Sequence, residues 1–142
     1  MPVVVSNSPA ETEAFGVRVA QVVQAGWVLG LDGDLGAGKT AFVRGLVRGL
    51  GSPARVHSPT FALLNLYRGG RLEVAHLDLY RLGSAADLQE AGLADNLFHP
   101  EGVSVVEWFS RAATVPPRNL HRLGFRWTAE ETREIDHDLP GL

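Results

Sequence analysis

Apolar residues along the chain fall into short unbroken runs, separated by stretches in which they recur every three or four positions. That alternation predicts buried strands with amphipathic helices between them. Pro2 to Val5 is short and β-branched, which suits a strand at a sheet edge. A helix follows, with Ser8 as its cap, Pro9 at the first helical position, and Glu11 three residues after Ser8 completing a capping box. Phe15, Val19, Val22 and Val23 recur at helical spacing to face the sheet, so this helix is expected to run to about Gln24 and end before Gly26. Trp27 to Leu31 reads as a strand covered on both faces. Thr40 to Leu50 then reads as a helix with Phe42, Val43, Leu46, Val47 and Leu50 on one stripe, Arg44 and Arg48 off it, and Gly51 closing it.

Further along, Pro53 and Pro59 exclude regular helix from Ser52 to Thr60. Phe61 to Tyr67 and Leu72 to Asp78 are β-prone runs around Arg68-Gly69-Gly70-Arg71, a hairpin with a glycine turn. Ser84 caps a short helix ending near Gly92, and Val103 to Glu107 is another buried strand. After the break at Pro116-Pro117, Leu120 to Trp127 and Thr132 to Leu139 read as a closing hairpin with a structural role. Its turn is Thr128 to Glu131, and Leu123, Phe125 and Trp127 alternate inwards.

Composition changes this picture little. A chain of 142 residues is expected to form one domain, residues 1–142, with a real core. Its net charge of −3 provides no basic footprint for direct, tight nucleic-acid binding. The absence of cysteine removes disulfides and thiolate metal sites. There is no charged N-terminal segment leading into an apolar one and no apolar run near membrane-spanning length, so a cytoplasmic protein is expected.

The chemistry concentrates between the second strand and the second helix. Gly33-Asp34-Leu35-Gly36-Ala37-Gly38-Lys39-Thr40 fills the pattern G-x-x-x-x-G-K-[ST] without a mismatch. Glycines at these positions let backbone N–H groups turn inward to form an anion cup. Lys39 would reach the β and γ phosphates, Thr40 would hold Mg²⁺, and the helix beginning there would point its positive end at the ligand. Lys39 is the sole lysine in the chain. A guanine-reading N-K-x-D motif is therefore impossible, which favours adenine. The expected fold is a P-loop NTPase-like three-layer α/β/α domain with a mixed, partly antiparallel sheet. Asp78 and Glu107 each close an apolar strand, and if those strands run parallel to the P-loop strand, Gly33, Asp78 and Glu107 emerge at one edge, where α/β sheets bind ligands. His76 shares a face with Asp78 and reads as a hydrogen-bonded core histidine. Ser58 and Thr60 are candidate sensors of the bound nucleotide.

Taken in order, this loop, Ser58-Pro59-Thr60, His76-Leu77-Asp78-Leu79-Tyr80-Arg81-Leu82 and Val106-Glu107-Trp108 resemble the bacterial TsaE (YjeE) family. The resemblance spans most of the chain, although after Arg111 it reaches only the general strand pattern. It implies a small ATPase of tRNA threonylcarbamoyladenosine biosynthesis, working with the TsaB and TsaD proteins on the adenosine next to the anticodon. tRNA would be reached only through that complex, with no membrane contact and no metal other than Mg²⁺. It also implies that Lys39 and the loop backbone, including Leu35, Gly36, Ala37 and Ala41, bind ATP. Thr40 and Glu107 would hold Mg²⁺, Asp78 would be the Walker B position, Thr60 would belong to a switch-like loop, and Trp108 would lie near the nucleotide or a partner.

Two roles stay open between Asp78 and Glu107: one orients the attacking water while the other helps to hold the metal. No arginine finger is evident, so hydrolysis by the chain alone is expected to be slow and raised by a partner. A kinase using the same loop, and a switch that senses ATP without needing turnover, are the competing readings. Transfer of phosphate to a metabolite would mark the first, and assembly without hydrolysis the second.

Overall fold

The computed structural model describes residues 2–34, 37–57, 64–78, 101–107 and 120–142. Its strands are β1 (Val3–Ser6), β2 (Val28–Gly33), β3 (Leu64–Tyr67), β4 (Val74–Asp78), β5 (Val103–Glu107), β6 (Leu120–Trp127) and β7 (Arg133–His137). They form one mixed sheet in the order β1-β7-β6-β2-β5-β4-β3. β4 and β5 are buried along their whole length and β2 over its first four residues, so all three occupy interior positions. β6, β2, β5 and β4 run parallel, while β1, β7 and β3 supply the antiparallel pairings at the two sides. The short strand expected at an edge is there, as β1.

Helix α1 (Pro9–Ala20) begins as its sequence predicts, with Ser8 Oγ accepting from the Glu11 amide at 3.1 Å. The reciprocal half of the box is displaced by one residue, because the Glu11 carboxylate accepts from Asn7 N rather than from the cap residue. The helix stops four residues short of Gln24. Arg71, arriving from the β3–β4 turn, donates from Nη2 to the carbonyls of Ala20 and Val23 and so caps the chain end. Helix α2 (Lys39–Gly49) ends in a Schellman motif, with Gly51 at φ 85°, its amide on Arg48 O and the Ser52 amide on Val47 O.

The two helices lie against each other and against one face of the sheet. Phe15, Val19, Phe42, Val43 and Leu46 join Leu29, Leu31, Val105, Leu123, Phe125 and Ile135 in a single buried cluster. A fully buried side chain of this kind contributes roughly 1.5–3 kcal/mol. The helices approach so closely that a Cβ on Gly45 would collide with the Glu13 backbone. Val28, Ala75, Leu77 and Val106 alternate onto the opposite face and are buried too, so both faces of the central strands are covered. The helix expected from Ser84 to Gly92 lies outside the described residues.

One inward assignment fails. Leu123 and Phe125 are core residues, but Trp127 is 58% exposed. It occupies the last rung of the β6–β7 pair opposite Arg133, whose guanidinium carbon sits 4.5 Å from its ring centre, and its indole N–H donates to Glu130 O. The hairpin is also more than a closing element, since β6 lies directly beside the P-loop strand β2. No helix among the described residues is long and apolar enough to cross a membrane.

Candidate functional site

β2 delivers the chain to the loop at Gly33, and α2 takes it up again at Lys39. Gly38, the residue before α2, sits at φ 104° and ψ 8°, a left-handed conformation that a side chain would strain. Among the described residues no side chain caps α2, and no acid lies in its first turn, so its positive end is available to an anion from outside the helix. Ala37 is fully buried beneath the loop, and Asp34 is exposed. Thr40 and Ala41 are half-buried in the first helical turn. Leu35 and Gly36 lie outside the described residues.

Lys39 is 4% exposed and donates from Nζ to the carbonyl of Gly33 at 2.6 Å, folding back over the loop from which it emerges. Burial lowers its pKa. Glu107, Asp78, Asp32 and Asp34, in that order of strength, push the other way. The single lysine is thus held against a field of four carboxylates.

Parallel pairing brings the two predicted acids together. Asp78 and Glu107 stand directly opposite each other in the β4–β5 register, and Glu107 is level with Leu31, two residues before Gly33. Both are buried, at 5% and 4% exposure. Gly33, Asp78 and Glu107 therefore do emerge at one edge of the sheet. Ser58, Thr60 and Trp108 lie outside the described residues.

Sequence reasoning missed a polar chain behind Glu107. His76 is wholly buried, and its Nε2 contacts Glu107 Oε2 at 2.5 Å. Its Nδ1 meets the Tyr67 hydroxyl at 3.0 Å, and that hydroxyl donates to the carbonyl of His57, also at 3.0 Å. Burial raises the pKa of the Tyr67 phenol, keeping its proton in place. The core-histidine reading of His76 holds, but its partners depend on strand register. The available signal was the shared face of His76 and Asp78.

Among the described residues, no three His, Asp or Glu side chains converge to hold a metal by themselves. Two adjacent carboxylates suit a hard cation such as Mg²⁺, which keeps several waters and takes further oxygens from a substrate's phosphates. The residues present fit that ion. Beside Gly38 and Ala41 a cavity of about 170 Å³ opens between the start of α1 and the β6–β7 turn, lined also by Ser8, Thr12, Glu130 and Arg133.

Comparison with known proteins gives this edge a lineage. The family model described as threonylcarbamoyl adenosine biosynthesis protein TsaE matches residues 6–135. The chain belongs to the TsaE family. It is 41% identical over 131 residues to the tRNA threonylcarbamoyladenosine biosynthesis protein TsaE of Treponema pallidum, covering 92% of this chain and 96% of that one. It is 38% identical to the Bacillus subtilis TsaE, covering 94% and 83% respectively. A crystal structure of Bacillus subtilis YdiB superposes with a TM-score of 0.77 at 34% identity, over 94% of this chain and 82% of that one. The TsaE match continues past Arg111 to residue 135, beyond the motifs that carried the resemblance, and so includes β6 beside the P-loop strand.

Proposed function

We propose that this chain binds ATP with Mg²⁺ and hydrolyses it, in support of the TsaB–TsaD complex that builds threonylcarbamoyladenosine on the tRNA adenosine next to the anticodon. The reading is carried by one observation: Asp78 and Glu107 stand side by side at the sheet edge where the buried Lys39 begins α2. The pathway comes from the relatives, which are named as tRNA threonylcarbamoyladenosine biosynthesis proteins.

In this reading Lys39 leaves the Gly33 carbonyl for the β and γ phosphates, and backbone N–H groups from the loop into Ala41 surround them. The cavity beside Gly38 and Ala41 leaves space for the sugar and base, with adenine favoured. Thr40 with Glu107 or Asp78 would hold Mg²⁺, and the other carboxylate would orient water in line with the γ-phosphate. When bound, the ion neutralises charge on the phosphate oxygens. Catalysis is then positioning and charge neutralisation, slow without partner proteins. Thr60 and Trp108 would complete the nucleotide contacts, and the chain would work in the cytoplasm.

Titration with a fluorescent ATP analogue tests the assignment. Lys39→Ala should lower affinity by roughly 100-fold or more, the scale of losing a close charge-assisted contact in a dry site. Wild-type affinity in that variant would remove the site.

A further inference from the structure

We propose that Tyr67 and His76 are positioning residues for Glu107, a buried strut that fixes the orientation of its carboxylate and fastens it to the backbone of His57. The proposal rests on Glu107 being a carboxylate of the ATP site.

The strut crosses three neighbouring strands on a diagonal, since Tyr67 is level with Val74 and Glu107 with Asp78, each two residues from His76 along β4. Tyr67 comes from β3, His76 from β4 and Glu107 from β5, and all are almost completely buried. The Tyr67 hydroxyl lies within hydrogen-bond distance of both the His57 carbonyl and His76 Nδ1. The opposite ring nitrogen, Nε2, faces Glu107 Oε2 at 2.5 Å. No buried side-chain nitrogen or oxygen among the described residues lacks a partner, so the chain is complete from end to end.

Stability alone does not account for the arrangement. Apolar residues of similar shape in place of both partners of a buried polar contact are commonly neutral or stabilising. What the strut supplies is direction. A carboxylate at the end of a strand can rotate, and a ring held at both nitrogens prevents it, as the hydrogen-bonded neighbours of metal-holding side chains do elsewhere. The far end matters as much. Asn65 Nδ2 also donates to the His57 carbonyl, at 3.2 Å, so β3 holds this residue at two points. His57 is the last residue before Ser58-Pro59-Thr60, the stretch with the candidate nucleotide sensors. The strut joins the carboxylate edge to the origin of that stretch.

The test compares full-length wild type, Tyr67→Phe, His76→Gln and Glu107→Gln. Calorimetry with a non-hydrolysable ATP analogue, with and without Mg²⁺, is run beside steady-state ATP turnover in the presence of the partner proteins. Tyr67→Phe removes one oxygen, and His76→Gln keeps a polar group of similar length. Both should bind the metal-free analogue as wild type does. Both should lose roughly 10- to 100-fold of the affinity gained from Mg²⁺, with KM for the Mg²⁺-bound nucleotide rising in step and kcat falling as well. Adding Tyr67→Phe to Glu107→Gln should lower kcat no further, because the strut acts only through that carboxylate. Wild-type Mg²⁺ dependence and kcat in Tyr67→Phe, with Glu107→Gln impaired, overturn the strut alone, and this variant decides the matter if His76→Gln does not fold. Wild-type behaviour in Glu107→Gln overturns the reading of the site, and the strut with it.

Discussion

Two polar ladders cross the same sheet in opposite surroundings. On β3, β4 and β5, Tyr67, His76 and Glu107 form a chain shut away from water. On β6 and β7, Arg126 reaches Asp136 at 3.1 Å and Glu134 at 3.3 Å with about half its side chain in solvent. The distances are alike, but the energetics are not. Water can replace any partner in the second ladder and none in the first, so the first fixes a geometry while the second decorates a surface. The buried ladder also stands behind the carboxylate edge, whereas the solvent-facing one lies on strands that flank it.

Removing the centre of the buried ladder should give the largest change in stability. His76→Ala leaves Glu107 and the Tyr67 hydroxyl without their partner and opens a cavity, a combination that costs about 3–5 kcal/mol. Thermal unfolding should show a Tm lower by roughly 10 °C or more. A shift of a degree or two would mean that water already reaches this chain and that the contrast is one of degree.

The same truncation on the surface sharpens the comparison from the other side. Arg126→Ala breaks both ion pairs, yet exposed pairs are worth about 0–1 kcal/mol, and salt screens what there is. Denaturant titration should place the variant within about 1 kcal/mol of wild type, with the gap narrowing as salt is raised. A loss near that of His76→Ala would show that the β6–β7 ladder is structural after all.

The two ladders were not equally legible in the sequence. Features set by neighbours in the chain could be read directly: the glycine loop between an apolar run and an amphipathic helix, the Ser8 cap, the acids closing β4 and β5. The parallel pairing that the sequence reading made a condition is supplied by the sheet, and with it the meeting of Asp78 and Glu107. What escaped depends on register or on distant residues. Tyr67 meets His76 only because the β3–β4 hairpin pairs as it does. α1 ends at Ala20 because Arg71, 51 residues further on, takes its carbonyls. Trp127 continues the inward alternation of Leu123 and Phe125, but β7 meets it with Arg133, and the ring stays at the surface.

His137 provides the smallest effect and the finest distinction between the two sides, because it is a buried polar group at the margin of the solvent-facing ladder. It is 1% exposed, packs against Phe15, and its Nδ1 accepts from the Leu139 amide at 3.1 Å, which requires an unprotonated nitrogen. Burial lowers its pKa, with Arg18 and the N-terminus acting in the same direction and Asp138 and Asp136 opposing them. An unfolded histidine titrates near ~6.5. With the folded value below that, the unfolded chain binds more protons as the solution is acidified. The contribution of His137 is therefore complete above about pH 6.5 and is lost as pH falls below it, towards the folded value. His137→Gln keeps an acceptor for the Leu139 amide but cannot titrate. Stability measured from pH 7.5 down to pH 5 should fall more steeply for wild type than for the variant. Parallel profiles would show that this imidazole reaches water as readily as Arg126 does, and that burial near the β7 edge shields nothing.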